Sequence, residues 1–356
     1  MSDAPDATPG LSTTASRDRA PANPFAVCAV LALLTVALFA AAVALGRGDL
    51  SDGSLRSTLV QLRLLRTAGA FMAGAALATA GVVVQALFRN PLADPSILGA
   101  GAGANLGGQT VLLILSLAGG GGASWLNGDA SGLTAEVLLP VGCVVGALAA
   151  MSVLLLAARA RASFLVVLLT GFVLSSVCIS LGALLISLAQ ESYELGRAVV
   201  SFTLGSVGGV GIPRLLLAAP LAAAGIAAAW AWGRTLDVLL SGEDEAASLG
   251  VPVGLVRGWC VLWVAFLVAA AVAIGGNVSF VGLIAPHALR PLVGVSTRRL
   301  VPAAAIAGGA FVVLCDLAAR TLPARGELPL GVVSGLVGAP LFILMLRQGA
   351  RRGQLG

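Results

Sequence analysis

The chain is predicted to be an all-α membrane protein, a polytopic bundle of about ten transmembrane helices of ordinary span length. Three observations carry that prediction. Of the 356 residues, 58% are hydrophobic and only 10% charged, giving a mean hydropathy of +1.00, more apolar surface than a water-soluble domain can hide in its core. Apolar runs of about 20 residues recur along the chain, each long enough at about 1.5 Å per residue to cross a hydrocarbon core of roughly 30 Å. Glycine is abundant at 46 residues while aromatics make up 5%, which suits helices that approach closely through small side chains better than a barrel of alternating strands.

Taken in order, residues 1–24 are rich in Ser, Thr, Asp, Pro and Ala without apolar periodicity, and read as a disordered tail. The first apolar run, 25–46, follows Arg17 and Arg19 like a signal sequence, but its length and the many spans after it favour a retained helix. Further spans are predicted at 64–87, 96–118, 134–158, 163–189, 213–233, 253–275, 279–293, 299–319 and 329–348, the eighth being short. These make one transmembrane domain over 25–348, with residues 349–356 as a C-terminal tail. An even number of spans puts both termini on one side. Thirteen of the 21 basic residues fall on that side: Arg17, Arg19, Arg89, Arg159, Arg161, Arg234, Arg257, Arg290, Arg298, Arg299, Arg347, Arg351 and Arg352. The positive-inside rule therefore puts both ends in the cytoplasm. It also leaves Arg63 and Arg66 at the outer mouth of the second helix and Arg320 at the outer end of the ninth span, where basic residues should be scarce.

Several patterns carry less chemistry than they suggest. Cys28, Cys143, Cys178, Cys260 and Cys315 all lie inside predicted spans with no CxxC pair, and read as small packing residues; one histidine, His287, cannot build a metal site. GAGAGANLGG (99–108) formally matches a dinucleotide-binding glycine pattern, but no strand precedes it. Gly103 with Gly107, and Gly74 with Ala78, are better explained by close helix packing. All 21 basic residues are arginine, so the chain lacks the lysine of a Walker A loop and cannot itself be a P-loop ATPase. Few ionisable residues occupy the spans. Asp316 lies four residues before Arg320, and reads as a local ion pair rather than a proton relay. A transport protein without its own energy source implies a separate powering subunit.

Force would then enter through a cytoplasmic feature, and SGEDEAASLGVPVGLVRG (241–258) is the candidate. Ser241 is a possible N-cap, Glu243, Asp244 and Glu245 complement the positive end of a helix dipole, and Gly250 can end that helix. Pro252 suits the first turn of a second short helix. The alternative is an ordinary solvated loop.

RLLRTAGAFMAGAALATAGVVVQALFRNPLADPSILG (63–99) resembles the signature of the FecCD family, the permease subunits of ABC importers for iron-siderophores, haem and cobalamin. NVSFVGLIAPHALRPLVG (277–294), ELPLGVVSGLVGAPLFILML (327–346) and GEDEAASLGV (242–251) resemble that family's later blocks and its coupling loop, in order, over about residues 55 to 348.

The resemblance implies a type II ABC importer permease fold with ten helices and both termini inside a bacterial inner membrane. It implies two permease subunits around a central path, two ATPase subunits below that carry ATP and Mg, and a substrate-binding protein docking from outside. No cofactor is expected in this chain, no catalysis by it, and no nucleic acid among its partners. Arg63, Arg66 and Arg320 match the family's docking arginines, although simple snorkelling to lipid headgroups would also place Arg63 and Arg66 there. Gly242, Glu243, Asp244, Ala247, Leu249, Gly250 and Val251 match the contact with the ATPase. The path is expected to draw polar groups from Gln85, Asn105, Gln109, Thr170, Ser175 and Ser176, which can equally hydrogen-bond between helices. Ferric siderophore is the first substrate expectation, with cobalamin or haem behind it, and an ATP-independent carrier is the remoter alternative. Departures from the family pattern are a long N-terminal tail, a glycine run at 119–122, and Arg325 beside Arg320.

Overall fold

The computed structural model describes residues 23–46, 56–96, 98–118, 130–158, 164–189, 193–323 and 326–351. The tail through residue 22, the glycine run at 119–122, Arg159, Arg161 and Arg325 lie outside the described residues. Thirteen α-helices and no strand occur among the described residues: α1 Pro24–Ala44, α2 Arg56–Leu87, α3 Ala100–Ala118, α4 Ala130–Ala158, α5 Phe164–Ala189, α6 Tyr193–Leu204, α7 Ile212–Ala231, α8 Gly233–Ser241, α9 Glu243–Ser248, α10 Val253–Gly275, α11 Val281–Val293, α12 Thr297–Thr321 and α13 Leu330–Arg351. Nine of them are long and apolar enough to cross a membrane. α11, the short eighth span of the sequence, has 13 residues and reaches only about 20 Å. α6 was not expected from the sequence: its 12 residues bury Leu195, Val199 and Phe202 on one face and expose Arg197 and Ser201 on the other.

The bundle is organised around α2, which is buried along most of its length and packs against α12, α10, α11 and α7. Small residues make this possible. A Cβ on Gly74 would lie 2.2 Å from the carbonyl oxygen of Gly308 on α12, and one on Gly81 would lie 1.9 Å from that of Gly282 on α11. α3 and α4 cross in the same manner, with Gly103 against Gly146 and Gly107 against Gly142. Between helices in lipid, dispersion contact and not the hydrophobic effect holds the pair, so each lost ångström of approach matters. The glycine string at 99–108 is therefore a packing surface on the start of α3, as its context predicted. Cys143, Cys178, Cys260 and Cys315 are buried, also as expected of packing residues. By contrast, α1, α5 and α13 leave most of their apolar side chains exposed within one subunit.

The segment between α7 and α10 differs from its sequence reading. Two short helices exist, but they are α8 and α9, and both precede Pro252. Ser241 ends α8 instead of capping α9; the cap is Gly242, whose φ of 137° turns the chain between them. Pro252 is the N-cap of the long α10 and starts no second short helix. The helix stop at Gly250 is as expected: with φ at 81°, it donates its N–H to Ala247 O while Val251 N–H donates to Ala246 O, the pair of bonds of a Schellman cap.

Candidate functional site

α2 has charged neighbours at both ends, and Arg66 and Leu87 are about 30 Å apart along it. At the Arg66 end, four helices meet around an arginine and carboxylate cluster. Arg66 Nε donates to Asp316 Oδ1 at 2.9 Å and to Oδ2 at 3.2 Å, while Nη1 and Nη2 donate to the two oxygens of Glu327 at 3.0 and 2.9 Å. The guanidinium is thus forked by two carboxylates, one from α12 and one from the segment between α12 and α13. Arg320 Nε also lies 3.4 Å from Asp316, so the predicted i,i+4 pair is present, but as one arm of a larger network. Backbone bonds fix the Glu327 segment: Leu328 N–H donates to Ala319 O and Leu330 N–H to Gly205 O.

Arg63 and Arg320 turn inward within this subunit. Arg63 is 6% exposed and Arg320 4%. Arg63 Nη1 donates to Val43 O at 3.0 Å and Ala44 O at 3.1 Å, and Arg320 Nη2 donates to Ala42 O at 2.7 Å. These are among the last carbonyls of α1, which have no partner within their own helix, and a cation there also complements the negative end of the dipole. Neither arginine snorkels, and neither is open to the surface; together they fasten the end of α1 to α2 and α12. Arg66, with its side chain 15% exposed, borders a polar cavity of about 360 Å³ that it shares with Arg197 and Ser201 of α6, Ser206, Asp316 and Glu327. Arg197, Ser201 and Glu327 carried no role in the sequence reading. Only the glutamate of the ELP motif offered a signal, and its partner lies 261 residues away.

At the other end of α2, α8 and α9 form a protrusion held by three different helices. Gly233 leaves no room for a side chain, because a Cβ would sit 2.9 Å from the Arg298 nitrogen at the start of α12. Asp237 of α8 accepts from Thr297 N–H at 2.7 Å and Ser296 Oγ at 3.0 Å, and so caps α12, whose own N-cap residue, Ser296, makes no capping bond with its side chain. Arg298 stacks over Trp230 at 4.6 Å. Glu243 is ion-paired to Arg257 of α10. Of the predicted coupling residues, Asp244, Ala247, Leu249 and Gly250 are exposed, Glu243 and Val251 are partly so, and Gly242 is buried at the turn. Leu249 is 67% exposed at the tip, an apolar side chain held out by a capped helix. In the nearby turn, Asp94 accepts from Ser96 N–H; burial pushes its carboxyl above the usual carboxylate range against the pull of the Ser96 hydrogen bonds.

The six polar residues expected along a path are not brought together. Gln85 accepts from Arg290 Nη2 at 2.6 Å and donates to Gly282 O at 3.3 Å, which makes it a joint between α2 and α11. Gln109 donates to Thr203 of α6 at 2.7 Å; its Oε1 and the Oδ1 of Asn105 are buried without a partner among the described residues. Thr170, Ser175 and Ser176 bond back to the carbonyls four residues earlier on α5, which satisfies each hydroxyl within its own helix. Of these six, Ser176 alone is fully exposed.

An all-helical bundle with nine candidate membrane spans among the described residues, a charged cluster at one end of its central helix and a protruding helix pair at the other, fits the membrane-spanning subunit of a transporter. The comparisons agree. The FecCD transport family profile matches residues 25–348, and the chain belongs to that family. It is 35% identical over 310 residues to the uncharacterized ABC transporter permease YvrB of Bacillus subtilis, covering 85% of this chain and 82% of that one. It is 37% identical over 294 residues to the vitamin B12 import permease BtuC of Vibrio vulnificus, covering 81% and 82%. A solved chain described as an inward-facing conformation of a metal-chelate type ABC transporter superposes with a TM-score of 0.77 at 28% identity, covering 91% of this chain and 99% of that one. The protein is an ABC importer permease of type II fold.

Proposed function

We propose that this chain moves a large metal chelate inward across a bacterial inner membrane, with both termini cytoplasmic. In this reading α8 and α9 seat on an ATPase, and the Arg66 end receives an extracytoplasmic substrate-binding protein. The observation that carries it is the separation of the two features by the length of α2, one acidic-partner-ready cavity and one protruding helix pair on opposite faces of the bundle. The excess of arginine at the α8–α9 end supports that end as the cytoplasmic one. Two copies of the chain, or this chain and a close relative, enclose the path, and two ATPase subunits supply ATP and Mg chemistry. ATP binding closes the ATPases, α8 and α9 move with them, and the permease pair opens to one side at a time.

Ferric siderophore is the first substrate reading, supported by the metal-chelate description of the structural neighbour. Cobalamin is the second, favoured by the BtuC relatives. The test is uptake into proteoliposomes holding this permease with its co-purified ATPase and a binding protein, using radiolabelled ferric siderophore and radiolabelled cobalamin in parallel. ATP-dependent accumulation of one label identifies the substrate. Failure of any ATPase to co-purify, or accumulation without ATP, would overturn the reading in favour of a carrier working alone.

A further inference from the structure

The two carboxylates on Arg66 are not equivalent. Asp316 is buried on a packed helix, with its side chain 2% exposed, and it also serves Arg320. Glu327 has its side chain 42% exposed and sits outside any helix, just after Gly326 with φ at 71°. Both carboxylates fill Arg66's fork in the geometry an external carboxylate would take. Glu327 also lies on the wall of the 360 Å³ cavity whose other basic residue, Arg197, is exposed and in no ion pair among the described residues. Among the described residues the cavity therefore presents Arg197 without an ion-pair partner, Arg66 held by Asp316 and Glu327, and the hydroxyls of Ser201 and Ser206.

We propose that Glu327 is an internal stand-in for a partner's carboxylate: it holds Arg66 in the free permease and yields it to an acidic side chain of the docked substrate-binding protein, with Arg197 as the second basic contact. This rests on the reading that such a protein docks at the Arg66 end. Occupation by Glu327 keeps a partly buried guanidinium from standing unpaired between docking events, and it subtracts from docking affinity the cost of displacing it. Asp316 stays on Arg66 throughout, so the exchange replaces only the half-exposed carboxylate of the fork by another carboxylate, and it can reverse on each encounter.

The experiment titrates the purified substrate-binding protein onto the complete transporter in nanodiscs, measuring Kd and association rate at several salt concentrations. Glu327→Gln removes the competitor and is expected to tighten binding by about 2–5-fold, with faster association and a steeper salt dependence. Arg197→Gln is expected to weaken it by a similar factor. In an Arg66→Gln background the gain from Glu327→Gln should vanish, since no guanidinium remains to be released. Unchanged or weaker binding by Glu327→Gln overturns the proposal, because a merely structural glutamate can only be missed. A gain that persists without Arg66 overturns it as well, since the effect would then be one of overall charge. If the parent transporter shows no salt-sensitive binding at all, the docking reading itself fails, and the inference falls with it.

Discussion

Asp316→Asn tests the cluster at its centre. Among the described residues, the carboxylate is the one buried anion near three arginines: it pairs with Arg66 at 2.9 Å and Arg320 at 3.4 Å, and Arg63 stands beside Arg320 at the end of α1. Glu327 can continue to serve Arg66 from the surface, but Arg320, which is 4% exposed, has Asp316 as its ion-pair partner. The substitution thus leaves a buried guanidinium with a carbonyl and only the electrostatic help of Glu327, and breaking a buried pair costs about 3–5 kcal/mol. At roughly 2 °C per kcal/mol for a large domain, melting should fall by about 6–10 °C. Cys143, Cys178, Cys260 and Cys315 are buried and report unfolding directly through a thiol-reactive dye in nanodiscs. Exposed Arg299→Gln is the control, with an expected effect within about 0.5 kcal/mol. If Asp316→Asn melts with the control, the cluster is not held by charge and the account of Arg66, Arg320 and α1 given above is wrong.

At Gly250 a Cβ meets nothing within 4 Å, but φ is 81°, so the penalty is backbone strain of about 1–2 kcal/mol and not a clash; ATPase stimulation in the assembled transporter should fall in the order Gly, Asn, Ala, Val, and Val equal to Asn would refute the cap. Asp237→Ala removes the cap that α8 provides to α12 and should cost about 0.5–2 kcal/mol, while Asp237→Asn, which keeps an acceptor for Thr297 N–H, should cost less in the same melt. Gly81→Leu would force α2 away from α11, where a Cβ already lies 1.9 Å from Gly282 O, and should abolish recovery of folded protein from the membrane; a normal yield would refute the close crossing. Asp94 has its carboxyl pushed up by burial, so its proton is bound more tightly in the folded state. Its contribution to stability is then largest at low pH and is lost as pH rises through its titration. Asp94→Asn keeps the acceptor for Ser96 and should therefore melt at or above the parent at pH 7.5, with the difference shrinking on acidification.

What the sequence reveals here, and what it hides, divides by the range of the interaction concerned. Span positions follow from runs of about 20 apolar residues, and the glycine crossings from spacings of four, so both are legible from a short window. The stop at Gly250 is legible for the same reason: a Schellman cap is built within six residues. The Asp316–Arg320 pair is an i,i+4 neighbour and was equally visible. The contacts of Arg63 and Arg66 were not, because exposure is a tertiary property: Arg63 finds its carbonyls 19 and 20 residues back, and Arg66 finds Glu327 261 residues on. A positive charge at the outer end of a helix reads the same in sequence whether it faces a partner, a headgroup or the orphan carbonyls of a neighbouring helix.

The helix boundaries around residues 241–252 differ from the sequence reading for a local reason of a different kind. Ser241 and Pro252 both fit start signals, but Gly242 adopts a φ that only glycine holds easily, and this moves the break one residue and places the second short helix before α9. Asp237, which ties that helix to α12, then appears only once α8 exists. Since α12 runs from this cap at Thr297 to Asp316 and Arg320, and packs along α2 through Gly308, the two ends of the bundle are joined by a pair of helices whose close contact leaves little freedom to slide. Among the described spans, α1, α5, α7 and α13 are the least buried within one subunit. A rearrangement that changes access to a path therefore has its cheapest route at those helices, and any probe of transport-linked motion should be placed on α5 or α13 and referred to the α2–α12 pair as the fixed frame.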